Sequence, residues 1–538
     1  MNVRQSCTAA AGILALTLTG CGGGGAEPAA QAEVEPGYLA VADDTATAEG
    51  PVTVQVDYDS QEDGGLDPQL ATTARSWSLF GLVYETLVTV DAEFGFQPGL
   101  ATSWEQPDET TYIFTIDTSA QFSNGRALTV DDVAGTLERL KDGVGVWAGQ
   151  IGPVDSVETL DDTKVQVNLS EPYTPFLAAL ANSPAGILPM EEIESGQVDI
   201  ATEMLGTGPF VMESHRQDQN WVFSRHDGYR HAGDVLITEL RVDIVGEDAT
   251  RQAALREGST ALANFSNVDA LSLLANSGAT MYSQQQSDFY YILINGLRED
   301  SPLNDQDLRF ALNAAIDRQA LSDSALAGES APTGVTPSNL PGACDPADLP
   351  SAGVGAEGAA GLIEASGYDG EPLDLLVYNS EPVLGQMAQV IQQQLEAAGV
   401  TVNIEQLDTA AYYERTHSTV PGDFDMALGW YAGYGDPAMV TRWWNPDIAG
   451  FSAAFAGSHE DLNGLIDQAA AESEPAAREQ VFTELCHTVD EYSEMVPLVH
   501  RPGIVGLNPD LLTMDLAANE GYGDFLRYLP TARPVSAG

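Results

Sequence analysis

The sequence predicts an α/β protein that divides into at least two lobes, and three observations support this. Strand-like and helix-like segments alternate along the chain, which is typical of α/β folds. Two of the strand-like segments are continuous apolar runs, as in strands that are covered on both faces. The stretch that can form a core, residues 51–538, is too long for one compact core.

The first half of this stretch contains alternating strands and one helix with a clear start. VTVQVDY (52–58), YIFTID (112–117) and VQVNL (165–169) are predicted as strands, because apolar and polar residues alternate in them. VDDVAGTLERL (130–140) is predicted as a helix that begins after Thr129, whose hydroxyl suits an N-cap.

The second half contains the two continuous apolar runs and two amphipathic helices. FYYILING (289–296) and FDMALGW (424–430) are predicted as buried strands. DLRFALNAAIDRQAL (307–321) and GQMAQVIQQQLEAAG (385–399) are predicted as helices, and Gly399 is expected to end the second one.

The second buried strand runs into an unusually aromatic turn and helix, LGWYAGYGDPAMVTRWWN (428–445). Asp436 suits an N-cap and Pro437 the first helical position, so a helix is predicted from there. Trp443 and Trp444 lie on that helix and are expected in the core.

Three aromatic residues of this stretch lie at the strand end and in the turn itself. In α/β sheets, ligands bind beyond the carboxyl ends of the strands. We therefore predict that Trp430, Tyr431 and Tyr434 line a binding cleft.

The N-terminus has the pattern of an exported lipoprotein. Residues 1–20 contain an apolar run about half as long as a membrane-spanning helix, which indicates a signal peptide. The run ends in Leu-Thr-Gly before Cys21, a lipobox, so Cys21 is expected to carry the lipid. Residues 21–50 are rich in Gly, Ala, Pro and acids and are expected to form a flexible tether. The alternative is an ordinary signal peptide with a chance cysteine.

The composition is strongly acidic. The chain has 80 Asp and Glu against 21 Lys and Arg, a formal net charge of -59. Nucleic acid is excluded as a partner, because phosphate binding requires a basic face. We interpret the charge as adaptation to a salty exterior. A cation-binding site and a compositional bias are the alternatives.

The expected mature chain keeps two cysteines, Cys344 and Cys486. Outside the cytoplasm they form a candidate disulfide, which would close a long loop and stabilise the fold by up to about 5 kcal/mol. Two buried free thiols are the alternative. Neither cysteine has neighbours that would complete a zinc site.

The common enzyme motifs are missing or out of context. The G-x-G-x-x-G pattern at 353–358 follows a loop, whereas a dinucleotide-binding motif follows a strand. The sequence contains no G-x-S-x-G, H-E-x-x-H or Walker A motif, and its histidines are scattered. We therefore expect no enzyme, no catalytic residue, no bound metal and no cofactor.

Four segments resemble, in the same order, the motifs of the extracellular solute-binding proteins of family 5, the peptide- and nickel-type receptors of ABC importers. They are PGLATSWEQPDETTYIFTIDTSAQFSNGRALTVDDVAGTLERL (98–140), GTGPFVM (206–212), FYYILINGLREDSPLNDQDLRFALNAAIDRQAL (289–321) and GWYAGYGDP (429–437).

The resemblance implies a two-lobed, Venus-flytrap fold of the periplasmic-binding-protein type with an extra subdomain inserted in the N-terminal lobe. The expected segments are 1–20 for the signal peptide, 21–50 for the tether, 51–85, 205–290 and 505–538 for lobe I, 86–204 for the inserted subdomain and 291–504 for lobe II.

The resemblance also suggests where the ligand binds, with Tyr84, Glu85 and Asn295 as candidates beside the aromatic turn. Peptide-binding members usually carry an aspartate in this turn that pairs with the ligand's α-ammonium, and Gly433 stands there instead. Glu85 is a candidate substitute acid. Alternatively, the glycine lets a flat sugar approach the backbone.

The implied function is that of a monomeric, lipid-anchored receptor outside the cytoplasm. It would capture peptides or solutes of similar size and deliver them to an ABC permease with cytoplasmic ATPases. An oligosaccharide receptor and a nickel-chelate receptor are the alternatives within the family. An exported lipid-anchored hydrolase and a signalling receptor without a permease are the alternatives from other classes.

Overall fold

The computed structural model describes residues 36–59, 65–143, 145–431 and 433–535. The expected signal peptide and the lipidation site at Cys21 lie outside the described residues. Among the described residues, no helix is both long and apolar enough to cross a membrane.

Twenty-one strands are described. They are β1 (Tyr38–Ala40), β2 (Gly50–Val56), β3 (Val88–Val90), β4 (Phe96–Pro98), β5 (Ala101–Asp108), β6 (Thr111–Ile116), β7 (Val154–Asp161), β8 (Lys164–Leu169), β9 (Phe210–Arg216), β10 (Asn220–Arg225), β11 (Ile237–Ile244), β12 (Leu262–Phe265), β13 (Thr280–Ile294), β14 (Leu373–Tyr378), β15 (Val402–Leu407), β16 (Met426–Tyr431), β17 (Met495–Leu507), β18 (Leu512–Thr513), β19 (Leu516–Ala517), β20 (Asn519–Glu520) and β21 (Arg533–Pro534).

Fifteen α-helices are described between these strands. They are α1 (Ala74–Gly81), α2 (Val130–Lys141), α3 (Val146–Gln150), α4 (Phe176–Leu180), α5 (Met190–Glu194), α6 (Asp248–Glu257), α7 (Asp269–Leu274), α8 (Gln306–Ala314), α9 (Arg318–Ala325), α10 (Gly355–Ser366), α11 (Pro382–Ala397), α12 (Thr409–Tyr413), α13 (Pro437–Thr441), α14 (Glu460–Ala471) and α15 (Pro475–Tyr492).

One large mixed sheet organises most of the chain. Its strand order is β15-β14-β16-β13-β17-β12-β2-β11-β10-β9, and β20 pairs with β13. Parallel pairs join β14 to β15 and to β16 at one end, and β2 to β11 and to β12 towards the other end. The buried strands predicted from the two apolar runs are confirmed as part of β13 and as β16.

Two long strands, β13 and β17, connect the two halves of this sheet. They run antiparallel and pair from Thr280–Leu507 to Leu293–Met495. The pairing is interrupted in the middle: Gln285 is paired with Pro502 and Phe289 with His500, so β13 advances by four residues while β17 advances by two. Extra residues in one strand form a β-bulge, which bends the strand and redirects its side chains.

A second sheet is antiparallel, with the order β5-β6-β8-β7. Helix α2 packs against this sheet and begins where the sequence predicts. The Thr129 hydroxyl accepts a hydrogen bond from the Asp132 backbone, and the Asp132 carboxylate accepts one from the Thr129 backbone, which completes a capping box.

One predicted helix is divided in the structure. The stretch 307–321 forms α8 and α9, which are separated by Ala315–Asp317. Asp317 causes the second start, because its carboxylate accepts a hydrogen bond from the Ala320 amide. In contrast, α11 ends as predicted: Gly399 has a φ of 97°, and the Val400 amide bonds back to the Leu395 carbonyl.

The helix start at Asp436 and Pro437 is confirmed, although the helix is shorter than predicted. Asp436 accepts a hydrogen bond from the Ala438 amide, and α13 ends at Thr441, where a turn of 3₁₀-helix follows. Trp444 is buried in the core, and its indole N–H donates to the Met495 carbonyl.

The end of the expected tether is part of the fold. Tyr38–Ala40 pairs with Leu516–Ala517, and the Ala42 amide donates to Asp515. Composition alone suggested a flexible segment up to residue 50, because these residues include few large apolar side chains. Backbone pairing with a distant strand orders the end of this segment instead.

Cys344 and Cys486 are joined in a disulfide, as expected for this pair. The bond connects the loop before α10 to helix α15, and the two cysteines are 142 positions apart in the sequence.

We expect the double variant Cys344→Ala/Cys486→Ala to lose about 2–5 kcal/mol in its free energy of unfolding, because the unfolded chain is no longer constrained by a closed loop. Urea denaturation measures this loss. Dithiothreitol is the internal control: it should lower the stability of the unaltered protein and leave that of the variant unchanged. Equal stability of the two proteins without reductant would contradict a stabilising disulfide.

Candidate functional site

A cavity of about 670 Å³ lies where several strands of the large sheet end. Asp57 follows the carboxyl end of β2, Ser266 that of β12 and Glu381 that of β14, and all three line the cavity. β2 and β12 are parallel in one half of the sheet, and β14 runs in the opposite direction in the other half, so the carboxyl ends of both halves face the break in the β13–β17 pairing. Ligands of α/β proteins bind beyond the carboxyl ends of strands. The volume falls within the usual range of small-molecule sites.

The interrupted pairing of β13 places an acid in the cavity wall. Asp288 lies within the bulge, it is 6% exposed, and it lines the cavity. One carboxylate oxygen, Oδ1, accepts a hydrogen bond of 3.0 Å from the Gly433 amide. In the described chain, no hydrogen bond to the other oxygen is found, and the Arg501 guanidinium lies 3.9 Å from it.

The environment of Asp288 makes its charge costly. Burial raises the pKa of this carboxyl to about 6, although Arg501 and the Gly433 amide partly oppose the shift. A cation that entered the cavity beside Asp288 would favour the ionised form. The site therefore has one buried carboxylate with a free hydrogen-bonding position.

Arg501 is held beside this acid by an aromatic ring and a second acid. Its guanidinium lies 4.3 Å from the centre of the Trp430 ring and 3.6 Å from Glu381. The Trp430 indole N–H donates to the same Glu381 carboxylate at 2.6 Å. Both ion pairs of Arg501 are longer than hydrogen bonds, so its N–H groups can still bind a ligand.

A second arginine stands between two acids at another part of the wall. Arg75 binds Asp524 through Nε at 2.5 Å and Asp57 through Nη2 at 3.2 Å. Its guanidinium also lies 4.8 Å from the centre of the Tyr58 ring. The cavity thus contains the same arrangement twice, an arginine flanked by two carboxylates beside an aromatic ring.

Of the residues predicted to bind ligand in the aromatic turn, Trp430 lines the cavity. Tyr431 and Tyr434 pack elsewhere. The Tyr431 ring lies 4.4 Å from that of Trp443, and the Tyr434 ring stacks 5.9 Å from that of Trp77. Tyr434 is only 3% exposed, so it acts as core.

Gly433 does not open the cleft for a flat ligand. A Cβ at this position would collide with the Ser287 carbonyl, so the glycine is needed for the close approach of two protein segments. The Gly433 amide contributes to the site by holding Asp288.

The other three candidates lie away from the cavity. Glu85, whose side chain is 11% exposed, forms an ion pair with Arg230 at 2.5 Å, so its charge is already paired within the protein. Tyr84 is buried, and its hydroxyl accepts a hydrogen bond of 3.4 Å from the Leu205 amide. Asn295 is fully buried, and its side chain donates to two backbone carbonyls, those of Gly422 and Phe424.

The sequence reasoning missed the charged residues of the cavity, although two carried a local signal. Asp288 directly precedes the apolar run of β13, and Arg501 interrupts the apolar strand β17. A charge inside a buried strand is unusual and indicates either a buried ion pair or a site. Arg75, Asp57 and Glu381 carried no comparable signal.

Comparison with known proteins identifies related sequences and folds. A sequence profile described as "Bacterial extracellular solute-binding proteins, family 5 Middle" matches residues 95–450, about two thirds of the chain. A similar protein is the probable D,D-dipeptide-binding periplasmic protein DdpA of Escherichia coli (strain K12). It is 26% identical over 396 residues, which cover 70% of this chain and 75% of that protein.

Two solved structures have the same fold. The ABC transporter substrate-binding protein CtaP of Listeria monocytogenes has a TM-score of 0.80 and 19% identity, and covers 91% of this chain and 100% of its own. The periplasmic binding protein DppA of Helicobacter pylori, in complex with the peptide STSA, has a TM-score of 0.75 and 20% identity, over 91% of this chain and 99% of its own. The chain has the two-lobed α/β fold of these proteins, as the sequence predicts.

Replacing Gly433 by alanine should destabilise the protein by about 1–3 kcal/mol, because the added methyl group meets the Ser287 backbone. Gly450→Ala is the matched control, since a Cβ there meets no atom within 4 Å. Urea denaturation of both variants tests this. Equal effects of the two substitutions would contradict the close packing at Gly433.

Asp288→Asn should make the protein more stable at neutral pH, by up to about 3 kcal/mol. The folded pKa of about 6 exceeds the ordinary 3.8, so the carboxyl favours the folded state below pH 3.8 and loses this effect as the pH rises through 6. The advantage of the variant should therefore shrink by at least about 1 kcal/mol at pH 5.

Denaturation at both pH values measures this difference. Asp162→Asn, which removes one exposed charge from the turn between β7 and β8, is the control. A variant that is less stable at neutral pH, or an advantage that does not change with pH, would contradict the costly burial of Asp288.

Proposed function

The chain belongs to the bacterial extracellular solute-binding proteins of family 5, and on this basis we propose that it is the receptor of an ABC importer for short peptides. The receptor binds a peptide between its lobes, in the cavity beside Trp430, and delivers it to a permease that is driven by cytoplasmic ATPases. It acts outside the cytoplasm as a monomer, anchored through a lipid on Cys21.

The observation that carries this proposal is the hydrogen bond from the Gly433 amide to Asp288. Peptide-binding relatives are expected to have an aspartate at the position of Gly433. Here a neighbouring strand brings a carboxylate to the same turn. The free oxygen of Asp288 can accept the α-ammonium of a peptide, and a charge-assisted hydrogen bond of this kind contributes about 1.5–3 kcal/mol.

The negatively charged carboxylate of a peptide also has a partner in the cavity. The guanidinium of Arg501 is oriented by Trp430 and Glu381, and its N–H groups suit a carboxylate or a peptide carbonyl. A zwitterionic ligand thus finds an acid and a base side by side. Peptide binding by relatives supports the same substrate class: DdpA is named as a probable dipeptide-binding protein, and DppA holds the peptide STSA.

The other candidate functions have less support. The oligosaccharide hypothesis required space for a sugar against the backbone at Gly433. The Ser287 carbonyl occupies that space. Arg501 covers one face of the Trp430 ring, which leaves less of it for stacking with a sugar. The relative DdpA is named as a binding protein, which favours a receptor over an exported hydrolase.

Closure of the lobes follows from the long strands. We infer that β13 and β17 cross between the lobes, since they join the two halves of the large sheet and their pairing is interrupted at the cavity. Pro502, at the interruption, is where we expect the hinge.

Calorimetric titration with a tripeptide and with its N-acetylated form tests the proposal. Acetylation removes the α-ammonium, so it should weaken binding by about 10–100-fold. In Asp288→Asn this penalty should largely disappear, whereas the control Asp162→Asn should keep it. Failure of every peptide to bind would contradict the proposed function. An equal penalty in Asp288→Asn would contradict the role of Asp288.

A further inference from the structure

The lining of the cavity carries far more negative than positive charge. In the described chain, six carboxylates and two guanidinium groups line it, those of Asp57, Glu247, Asp248, Asp288, Glu381 and Asp524 and those of Arg75 and Arg501. A third arginine, Arg251, lies fully buried behind the wall and binds Asp248. When that pair is set aside, five carboxylates face two cations.

This excess remains after the ion pairs within the wall are considered. Arg75 is shared by Asp57 and Asp524, and Arg501 is shared by Asp288 and Glu381. Each group of three therefore keeps one negative charge. Burying carboxylates without full compensation is costly, and a cation brought by a ligand can provide the compensation.

The aromatic residues in the wall favour the same kind of ligand. Besides Trp430, the rings of Tyr58, Phe265, Tyr290 and Phe525 line the cavity. Aromatic faces attract ammonium and guanidinium groups, most strongly where water is excluded. The wall already holds its own arginines in this way, since Arg75 lies over Tyr58 and Arg501 over Trp430.

We propose that the ligand is a short peptide with net positive charge, one that carries a lysine or arginine side chain in addition to its α-ammonium. This inference rests on the proposed function. Asp288 and Glu381 receive the α-ammonium, and the basic side chain extends towards the second acidic group, formed by Asp57 and Asp524 around Arg75. The acidic side chain of a glutamate peptide would instead meet the carboxylates of this second group.

The structure also explains why this preference should survive in salt. Asp57, Asp288 and Asp524 have side chains that are at most 13% exposed. Dissolved ions screen exposed charges much more strongly than buried ones. The preference therefore belongs to the cavity and differs from the general attraction of cations to an acidic surface.

Calorimetric titrations of the full chain with Ala-Lys-Ala, Ala-Ala-Ala and Ala-Glu-Ala, at two salt concentrations, test the inference. The lysine peptide should bind at least about tenfold more tightly than the glutamate peptide, with the alanine peptide between them. Higher salt should leave this order unchanged.

Asp57→Asn should narrow the ratio between the lysine and glutamate peptides by about threefold or more, because asparagine can still accept a hydrogen bond from Arg75 but removes one negative charge from the acidic group assigned to the basic side chain. Asp162→Asn, with the same change in net charge at the surface, should leave the ratio unchanged. Agmatine, a cation without a peptide backbone, should bind much more weakly than the lysine peptide.

The outcomes separate this inference from the function on which it rests. Equal binding of the three peptides, or tighter binding of the glutamate peptide, would overturn the charge preference and leave a peptide receptor. If agmatine binds as tightly as the lysine peptide, the inference that the cationic ligand is a peptide would be overturned. Binding of none of the peptides would overturn both proposals.

Discussion

The antiparallel pairing of β13 and β17 is the constraint on which the rest of this structure depends. These strands connect the parallel strands at both ends of the large sheet, so the positions of those strands follow from the register of one pair. The register breaks between Gln285 and Phe289, and the cavity lies at this break. A regular ladder would continue the alternation of side chains, whereas the bulge adds residues to one strand and changes where they point. The same irregularity therefore forms the wall, places Asp288 in it and marks the expected hinge.

The electrostatics of the cavity follow from this position. Strand ends and a bulge bring backbone and charged side chains together in a space that is partly closed to water, where charges interact strongly and are costly to bury. Two arginines moderate the cost, each between two carboxylates and against an aromatic ring. They do not remove it, because burial still raises the pKa of Asp288 to about 6. Residues that lower stability in the unliganded protein are typical of binding sites, since the ligand completes their interactions.

The sequence predicted those features that depend on local interactions and missed those that depend on distant ones. The caps at Thr129 and Asp436 and the end of α11 follow from short-range hydrogen bonds, and the buried strands follow from their apolar runs. The site is different, because Asp57, Asp288, Glu381 and Arg501 come from four segments that only the sheet brings together. For the same reason, the interpretation of Gly433 as an opening for ligand was wrong. Its neighbour is Ser287, which lies 146 residues earlier in the chain, and no local sequence pattern indicates that contact.

We propose that Asp288 takes the place of the aspartate that peptide-binding relatives are expected to carry at the position of Gly433. A crystal structure of the protein with a bound tripeptide tests it most directly, because it shows which group holds the α-ammonium. The α-nitrogen should lie within about 3 Å of Oδ2 of Asp288, the oxygen that does not bind the Gly433 amide, with the peptide beside Trp430 and Arg501. A peptide whose α-ammonium binds another acid, or whose position lies outside this cavity, would contradict it.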